Sequence, residues 1–177
     1  MTETVSNSAG LRSNTGKPTY SFLLDFTPDA GELLLRIKPS FALAFRSFHR
    51  LFSCSGPMDE SKLRLSLYTL SDLLTDDHRR GGHAGLGLAE GVNRVCVKGA
   101  VKYAPRNWQK GLSVRGCFDS AMRHLLQLNA GIEIDEELQE HHACHAAWNI
   151  LAADWMVRNK PEFDDRAKHL KIETPKK

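Results

Sequence analysis

Three polar side chains lie at helical spacing in the C-terminal third of the sequence. His142, His145 and Asn149 are separated by three and four residues in the segment "HACHAAWN". At about 100° per residue, an α-helix places His145 roughly 60° from His142, with Asn149 between them. Ala146 and Ile150 flank this line, so it borders a predicted buried face. Imidazole and amide groups that point into a helical core need partners, because each unpaired buried polar group costs about 1–3 kcal/mol.

A divalent cation or a phosphate group would satisfy these side chains. Helical bundles commonly bind divalent metals through acidic and histidine side chains on facing helices. Asp135 and Glu137 precede His142 at the start of the same predicted helix, and further ligands are available from earlier segments. The periodicity alone equally allows a solvated, histidine-rich surface. The candidate metal ligands are His142, His145, Asp119, His124 and Glu90.

Two neighbours of these histidines carry separate expectations. His141 lies about 100° from His142 on a helix, so we expect it to tolerate alanine. Cys144 could be a nucleophile or a metal ligand, although cysteine is among the residues most often simply buried.

Apolar residues at three and four spacing predict helices along most of the chain. Pro39 is expected to interrupt the first of them, and Gly131 is a natural residue to follow a helix end. No alternating strand pattern longer than a few residues occurs, so the expected fold is an all-α helical bundle. The predicted helices cover residues 28–52, 58–74, 88–103, 113–128 and 135–159.

Composition indicates a single soluble domain over residues 1–177. The chain is 41% hydrophobic and 25% charged, which is ordinary for a globular protein. It has no apolar run long enough to span a membrane, and its N-terminus does not resemble a signal peptide. The net charge of +3 gives no reason to expect stable nucleic-acid binding. Four cysteines without a CxxC spacing indicate reduced thiols in a cytoplasmic protein.

Four segments resemble the phage dATP/dGTP diphosphohydrolase family, the MazZ-type enzymes. They are "GLRSNTGKPTY" (10–20), "GAVKYAPRNWQKG" (99–111), "RHLLQLNAGIEIDEE" (123–137) and "HACHAAWNILA" (142–152). The family is similar in scheme to the MazG-like all-α nucleoside triphosphate pyrophosphohydrolases. Residues 27–88 match none of these segments and are interpreted as a helical insertion, in which residues 54–84 are expected to be replaceable by a short linker. Residues 160–177 are expected to form a charged, loosely held tail.

The resemblance implies metal-dependent hydrolysis of dATP and dGTP between the α- and β-phosphates, giving dAMP or dGMP and pyrophosphate. Such phages replace adenine by 2-aminoadenine in their DNA, and removal of dATP protects that substitution. It also implies a homo-oligomer in the host cytoplasm, if the protein is phage-encoded. MazG-like enzymes hold metal with ExxE and ExxD pairs, whereas here His142 and His145 occupy the second spacing. Imidazole suits Mn, Co or Zn better than Mg, and the resemblance leaves all four metals open.

The resemblance also suggests roles for individual residues. Glu137 or Asp135 could orient the attacking water, although Asp135 could equally be a helix N-cap. Cationic side chains would hold phosphate oxygens, while aromatic and amide side chains would contact the purine. Local readings stay open, among them an Arg123–Asp119 pair on one helix and Trp108 as a core anchor. The candidate substrate-binding residues are Lys17, Lys102, Tyr103, Asn107, Trp108, Arg123 and Asn149.

Two other classes of protein remain possible from the sequence. One is an HD-type triphosphohydrolase, which is also helical and metal-dependent but releases triphosphate. It is disfavoured because the chain contains no His-Asp dipeptide. The other is a non-enzymatic helical interaction protein whose histidines lie on its surface.

Overall fold

The computed structural model describes residues 17–25, 27–54, 56–74 and 84–166. Within these ranges the chain forms six α-helices and three short 3-10 helices, and its only β-type pairing is an isolated bridge between Ile134 and His141. The prediction of an all-α bundle is therefore confirmed. The helices are α1 (Pro28–Leu35), α2 (Pro39–Phe52), α3 (Glu60–Asp72), α4 (Ala84–Tyr103), α5 (Val114–Asn129) and α6 (His142–Asn159), and the 3-10 helices are Ser21–Asp25, Asn107–Lys110 and Pro161–Phe163.

Local capping explains where several helices begin. The Thr27, Asp59 and Ser113 side chains accept hydrogen bonds from the first-turn amides of α1, α3 and α5, which satisfies donors that have no partner inside the helix. Pro39 occupies the first turn of α2, where its missing N–H is not needed. The interruption expected at Pro39 is therefore present.

The end of α5 follows the glycine signal in the sequence. Gly131 has a φ of 87°, and its amide donates to Leu128 O, while the amide of Ile132 donates to Gln127 O. This is the Schellman arrangement, in which a left-handed residue closes the last helical turn. The prediction that Gly131 follows the helix end is therefore confirmed.

The apolar core joins both halves of the described chain. Phe45, Phe48 and Phe52 of α2 are fully buried, and the ring of Phe52 lies 5.2 Å from that of Phe118 in α5. Helix α3 buries Leu70 and packs against α4 and α6. Helices α2 and α3 therefore pack into the same core as α5 and α6, and the interpretation of residues 27–88 as an insertion stays a prediction. The glycine-rich residues 75–83 lie outside the described residues.

The beginning of α6 differs from the sequence prediction. A helix was expected from Asp135, but α6 begins at His142. Asp135 Oδ1 accepts hydrogen bonds from the amides of Glu137 and Leu138 at 3.1 and 2.8 Å, and Gln139 adopts a left-handed φ of 53°. Aspartate competes with helical hydrogen bonds in this way. Residues 135–141 therefore form a folded turn in place of the first two helical turns.

The tail expected to be loose is fixed at its start. Asp165 accepts hydrogen bonds from the Ser113 hydroxyl and from the Arg115 amide. Arg166 is buried and donates to Gly56 O. Residues 167–177 lie outside the described residues.

Candidate active site

A pocket of about 570 Å³ lies between α4, α5, α6 and the segment Asn107–Lys110. Apolar residues of α4 and the aromatic rings of Trp108 and Trp148 line part of it, and polar groups of α5 and α6 line the rest. This size and mixed lining are typical of a small-molecule site. Of the residues expected from the sequence, the pocket gathers Lys17, Lys102, Tyr103, Asn107, Trp108, Arg123, His124, Asp135, Glu137, His142, His145 and Asn149.

Three of these side chains form a compact group, which we call the histidine–aspartate cluster: His124, Asp135 and His142. Each offers one ligand atom, and these atoms all lie within 4.8 Å of one another. The two Nδ1 atoms of His124 and His142 face each other at 2.8 Å. Two neutral imidazoles can face in this way only if a proton lies between them, or a cation that binds both lone pairs. The cluster therefore has the donor set of a metal site.

His145 adds a buried nitrogen to the edge of this cluster. Its ring stacks on that of His124, with centroids 4.6 Å apart, and its Nε2 lies 3.7 Å from Asp135 Oδ1. That Nε2 is buried and makes no hydrogen bond within the described part of the chain. Burial lowers the pKa of both His142 and His145 more than the Asp135 carboxylate raises it. Neutral imidazoles keep the lone pair that a metal ion needs.

Asp135 lies in the cluster because of the turn that carries it. Its amide donates to Glu140 O, and the amide of His142 donates to Glu133 O, so the turn folds back onto the start of α6. Glu140 is buried, and Arg94 and Lys98 of α4 donate to its carboxylate at 3.0 and 2.8 Å. Burial alone would raise the pKa of Glu140, but these two cations outweigh it and lower that pKa. The ion pairs fix the turn on α4.

The position of Asp135 changes its expected role. It was expected to orient a water molecule or to cap the helix, but α6 begins seven residues later, and the cap is His141. His141 Nδ1 accepts a hydrogen bond from the Ala143 amide at 3.1 Å, and the residue is 2% exposed. Replacing His141 by alanine should therefore lower stability, while the expectation that it spares the metal site stays a prediction. Asp135 offers a carboxylate oxygen to the cluster, and its role in orienting a water molecule stays a prediction.

The remaining acidic candidate in the pocket is Glu137. It is about half exposed, and its carboxylate forms an ion pair with Lys102 of α4. Hydrogen bonding to Glu137, followed by that to Tyr103, raises the pKa of Lys102 above its ordinary value. The Lys102 ammonium also lies 5.0 Å from the centre of the Tyr103 ring. Glu137 and Lys102 therefore bridge the turn and α4 at the edge of the pocket.

An aromatic wall covers another side of the pocket. The rings of Trp108 and Trp148 meet edge to face at 6.1 Å, and Trp108 also contacts Trp155 at 5.1 Å. Trp148 follows His142 by six residues, which is about 9 Å along a helix at roughly 1.5 Å per residue. The cluster and the aromatic wall are therefore separate parts of one pocket. Trp108 is partly buried, and it both lines the pocket and packs against the core, so the two sequence interpretations of this residue are compatible.

Two predicted metal ligands do not line this pocket. Asp119 Oδ1 accepts hydrogen bonds from the amides of Tyr20 and Ser21 at 2.5 and 2.6 Å. Glu90 is exposed on α4, between three and four helical turns from Tyr103. Neither joins the cluster found among the described residues. Asp119 and Glu90 were chosen because they are acidic residues on neighbouring helices, but helix rotation directs them elsewhere.

Other pocket residues were missed by the sequence reasoning. Trp148 follows His145 by three residues and so shares its helix face, which is a signal that the sequence already contained. Arg106 lies within the segment "APRNWQKG", where it adopts a left-handed φ of 55°, and the nearby Ala104 has a φ of 83°. Strained backbone of this kind is concentrated at functional sites. Ser120 and Gln127 of α5 also line the pocket.

Cys144 does not line the pocket. It is fully buried against Gly91 of α4, and burial raises the pKa of its thiol to about 11. The thiolate is the reactive form of cysteine, so Cys144 is protonated and inert at neutral pH.

The comparisons with known proteins fall on the part of the chain that builds the pocket. Residues 86–166 match the family described as dATP/dGTP diphosphohydrolase, N-terminal. A dATP/dGTP diphosphohydrolase of Salmonella phage PMBT28 is 40% identical over 79 residues, which is 45% of this chain and 27% of that protein. The match thus spans about a quarter of the relative's length. No solved structure matches, and no described helix is long and apolar enough to cross a membrane. Residues 86–166, a little under half of this chain, therefore resemble the dATP/dGTP diphosphohydrolase N-terminal family.

Proposed function

We propose that this chain hydrolyses dATP and dGTP to the deoxynucleoside monophosphate and pyrophosphate, and that it requires a divalent metal. The observation that carries the proposal is the pocket of about 570 Å³ in which a metal-type cluster, cationic side chains and aromatic rings lie together. A nucleoside triphosphate has a matching set of parts, namely a charged phosphate chain and a flat purine. The family match over residues 86–166 supports the same activity.

The cluster fits a divalent metal on chemical grounds. His124, Asp135 and His142 offer two imidazole nitrogens and one carboxylate oxygen, and the buried Nε2 of His145 lies beside them. This donor set suits Mn, Co or Zn better than Mg. Such an ion, when bound, neutralises phosphate charge and lowers the pKa of an attacking water.

The other pocket residues take roles that follow from their chemistry. Lys17, Arg106 and Arg123 provide positive charge for the phosphate oxygens. Trp108 and Trp148 offer aromatic faces and edges for the purine, about two helical turns along α6 from the cluster. Asn107 and Asn149 supply amide groups for its polar edge.

The proposed reaction needs one proton acceptor from the chain. A water oxygen forms a bond to the α-phosphorus as the bond between that phosphorus and the α,β-bridging oxygen breaks. Pyrophosphate leaves with the bridging oxygen and the bonding electrons. Glu137 accepts the proton from the water, for which its ion pair with Lys102 must open. Lys102 is then available to a phosphate oxygen, so one side-chain rearrangement frees both the base and a cation.

Product analysis tests this proposal. Purified protein is incubated with dATP or dGTP and Mg, Mn, Co or Zn, and the products are separated by chromatography. We expect monophosphate and pyrophosphate in a 1:1 ratio, with loss of turnover after chelation. Nucleoside and triphosphate would instead support the HD-type alternative. Absence of turnover with all four metals would support the interaction protein.

The proposed link to 2-aminoadenine requires the protein to distinguish dATP from the corresponding 2-aminoadenine nucleotide. A protein that protects this substitution must cleave dATP while sparing 2-aminoadenine deoxynucleoside triphosphate. We expect a difference of at least about tenfold in kcat/KM, which corresponds to about 1.4 kcal/mol of transition-state binding. Equal cleavage of the two nucleotides would exclude this role but leave the hydrolase activity intact.

A further inference from the structure

The structure carries a feature outside the matched residues that bears on the pocket. Residues 17–21, which we call the N-terminal strap, lie along α5, and Lys17 at the start of the strap lines the pocket. We propose that the strap is a phosphate-binding element for the pyrophosphate end of the substrate, and that Asp119 is its positioning residue. This inference rests on the proposed function.

Hydrogen bonds fix the strap at three successive turns of α5. Arg123 donates to Pro18 O at 3.0 Å, and Asp119 accepts from the amides of Tyr20 and Ser21. Arg115 donates to Ser21 O at 2.8 Å. Residues 115, 119 and 123 are spaced by four and so share one face of the helix. The strap therefore runs antiparallel to α5.

This direction decides where Lys17 lies. Because the strap begins beside Arg123, Lys17 is placed at the turn of α5 that also carries His124 of the cluster. Lys17 is exposed and Arg123 is half-buried, so two cationic groups meet at this end of the pocket. The aromatic wall lies farther along α6. A phosphate chain that reaches the cluster would meet Lys17, while the purine would not.

Asp119 is built to hold a backbone and not a ligand. It is 7% exposed, and one of its oxygens accepts two amide hydrogens of the strap. A carboxylate that accepts backbone N–H groups makes a charge-assisted bond, about twice as strong as a neutral one. Loss of this carboxylate should release the strap, and Lys17 with it, without removing any other side chain that lines the pocket.

Inhibition constants test the inference. Pyrophosphate and dAMP are used as product inhibitors of dATP turnover by the wild type and by Lys17→Ala, Asp119→Ala and the double variant. We expect Lys17→Ala to raise the inhibition constant for pyrophosphate about 10- to 100-fold, which is the effect of losing a hydrogen bond to a charged group. The inhibition constant for dAMP should change by less than about threefold, because dAMP lacks the pyrophosphate end. Lys38→Ala, an exposed lysine outside the pocket, is the matched control and should change neither.

The double variant separates positioning from general damage. If Asp119 acts through Lys17, adding Asp119→Ala to Lys17→Ala should raise the inhibition constant for pyrophosphate little further. Asp119→Asn alone should keep most of the pyrophosphate affinity, because its amide oxygen still accepts hydrogen bonds from the strap amides. Multiplicative effects in the double variant would overturn the positioning role. An unchanged pyrophosphate constant in Lys17→Ala would overturn the whole inference. Should Asp119→Ala fail to fold, Arg115→Gln replaces it and should act in the same direction.

A binding measurement keeps this inference distinct from the proposed function. Calorimetric titration with inorganic triphosphate in the presence of Mn requires no turnover. If the wild type hydrolyses no dATP but binds triphosphate at least tenfold more tightly than Lys17→Ala, the strap inference stands and the hydrolase proposal fails. Equal binding by the two proteins overturns the strap inference, whatever the turnover.

Discussion

Two buried regions of this molecule are built from opposite kinds of side chain. Around α2, the rings of Phe45, Phe48 and Phe52 fill the interior with apolar contacts, and no described residue of α1, α2 or α3 lines the pocket. At the start of α6, similarly buried positions hold His142 and His145. Core positions of the first kind stabilise the fold, whereas buried imidazoles lower stability unless something binds them. Substitutions in the two regions should therefore affect different measurements.

The largest effect is expected in the aromatic region. Phe52→Ala removes a fully buried ring that packs on Phe118, so it should lower the free energy of unfolding by about 3–5 kcal/mol. Chemical denaturation measures this loss. The exposed Leu33→Ala is the control and should change stability by less than about 0.5 kcal/mol. Comparable small losses for both variants would contradict the assignment of this region to the core.

The next largest effect is expected at the cluster and should appear in activity. His142→Ala removes one cluster ligand, and loss of even an outer partner of a metal costs about 10–100-fold, so turnover and bound metal should fall by at least that factor. The unfolding free energy measured without metal should stay nearly constant, since alanine is the best helix former. Glu136→Gln, an exposed change in the adjacent turn, should be neutral. Unchanged metal content in His142→Ala would contradict the assignment of His142 as a metal ligand.

Two glycines of α4 provide a smaller and matched contrast. A Cβ at Gly91 would lie 2.2 Å from Cys144 Sγ, whereas one at Gly99 would meet nothing within 4 Å. Gly91→Ala should therefore cost about 1–3 kcal/mol through overpacking, and Gly99→Ala should stabilise the helix by up to about 1 kcal/mol. Thermal unfolding of the two variants measures the difference. Stabilisation in both would mean that α4 and α6 are not in close contact at Gly91.

The smallest expected effect comes from comparing two adjacent residues, His141 and His142, in stability and in metal content. His141 caps α6, so His141→Ala should lower stability by about 0.5–2 kcal/mol, the usual effect of losing a cap. Metal content should stay within twofold of the wild type, in contrast to His142→Ala. Metal analysis and denaturation of the same samples test this. A loss of metal as large as that in His142→Ala would place His141 in the site as well.

Local patterns in the sequence were sufficient for much of the fold. Helical spacing, Pro39 and Gly131 correctly indicated the helices and two of their ends. Asp135 was the main failure, because an acidic residue before a helical pattern suits both a cap and a side-chain-stabilised turn. In both local structures the carboxylate accepts hydrogen bonds from nearby amides, and the ion pairs of Glu140 with Arg94 and Lys98 on a distant helix favour the turn.

The sequence by itself determined that His142, His145 and Asn149 lie on one face of a helix, because a period of 3.6 residues is a property of the local backbone. Through the family resemblance, the sequence also predicted that residues of "KYAPRNW" and "RH" share one site with these three side chains. Only the tertiary structure decided which carboxylate meets the histidines. Asp119 and Asp135 are chemically identical, but helix rotation directs Asp119 to the strap, and the turn after α5 brings Asp135 to His124 and His142. That choice depends on contacts between residues far apart in the chain, which no local spacing encodes.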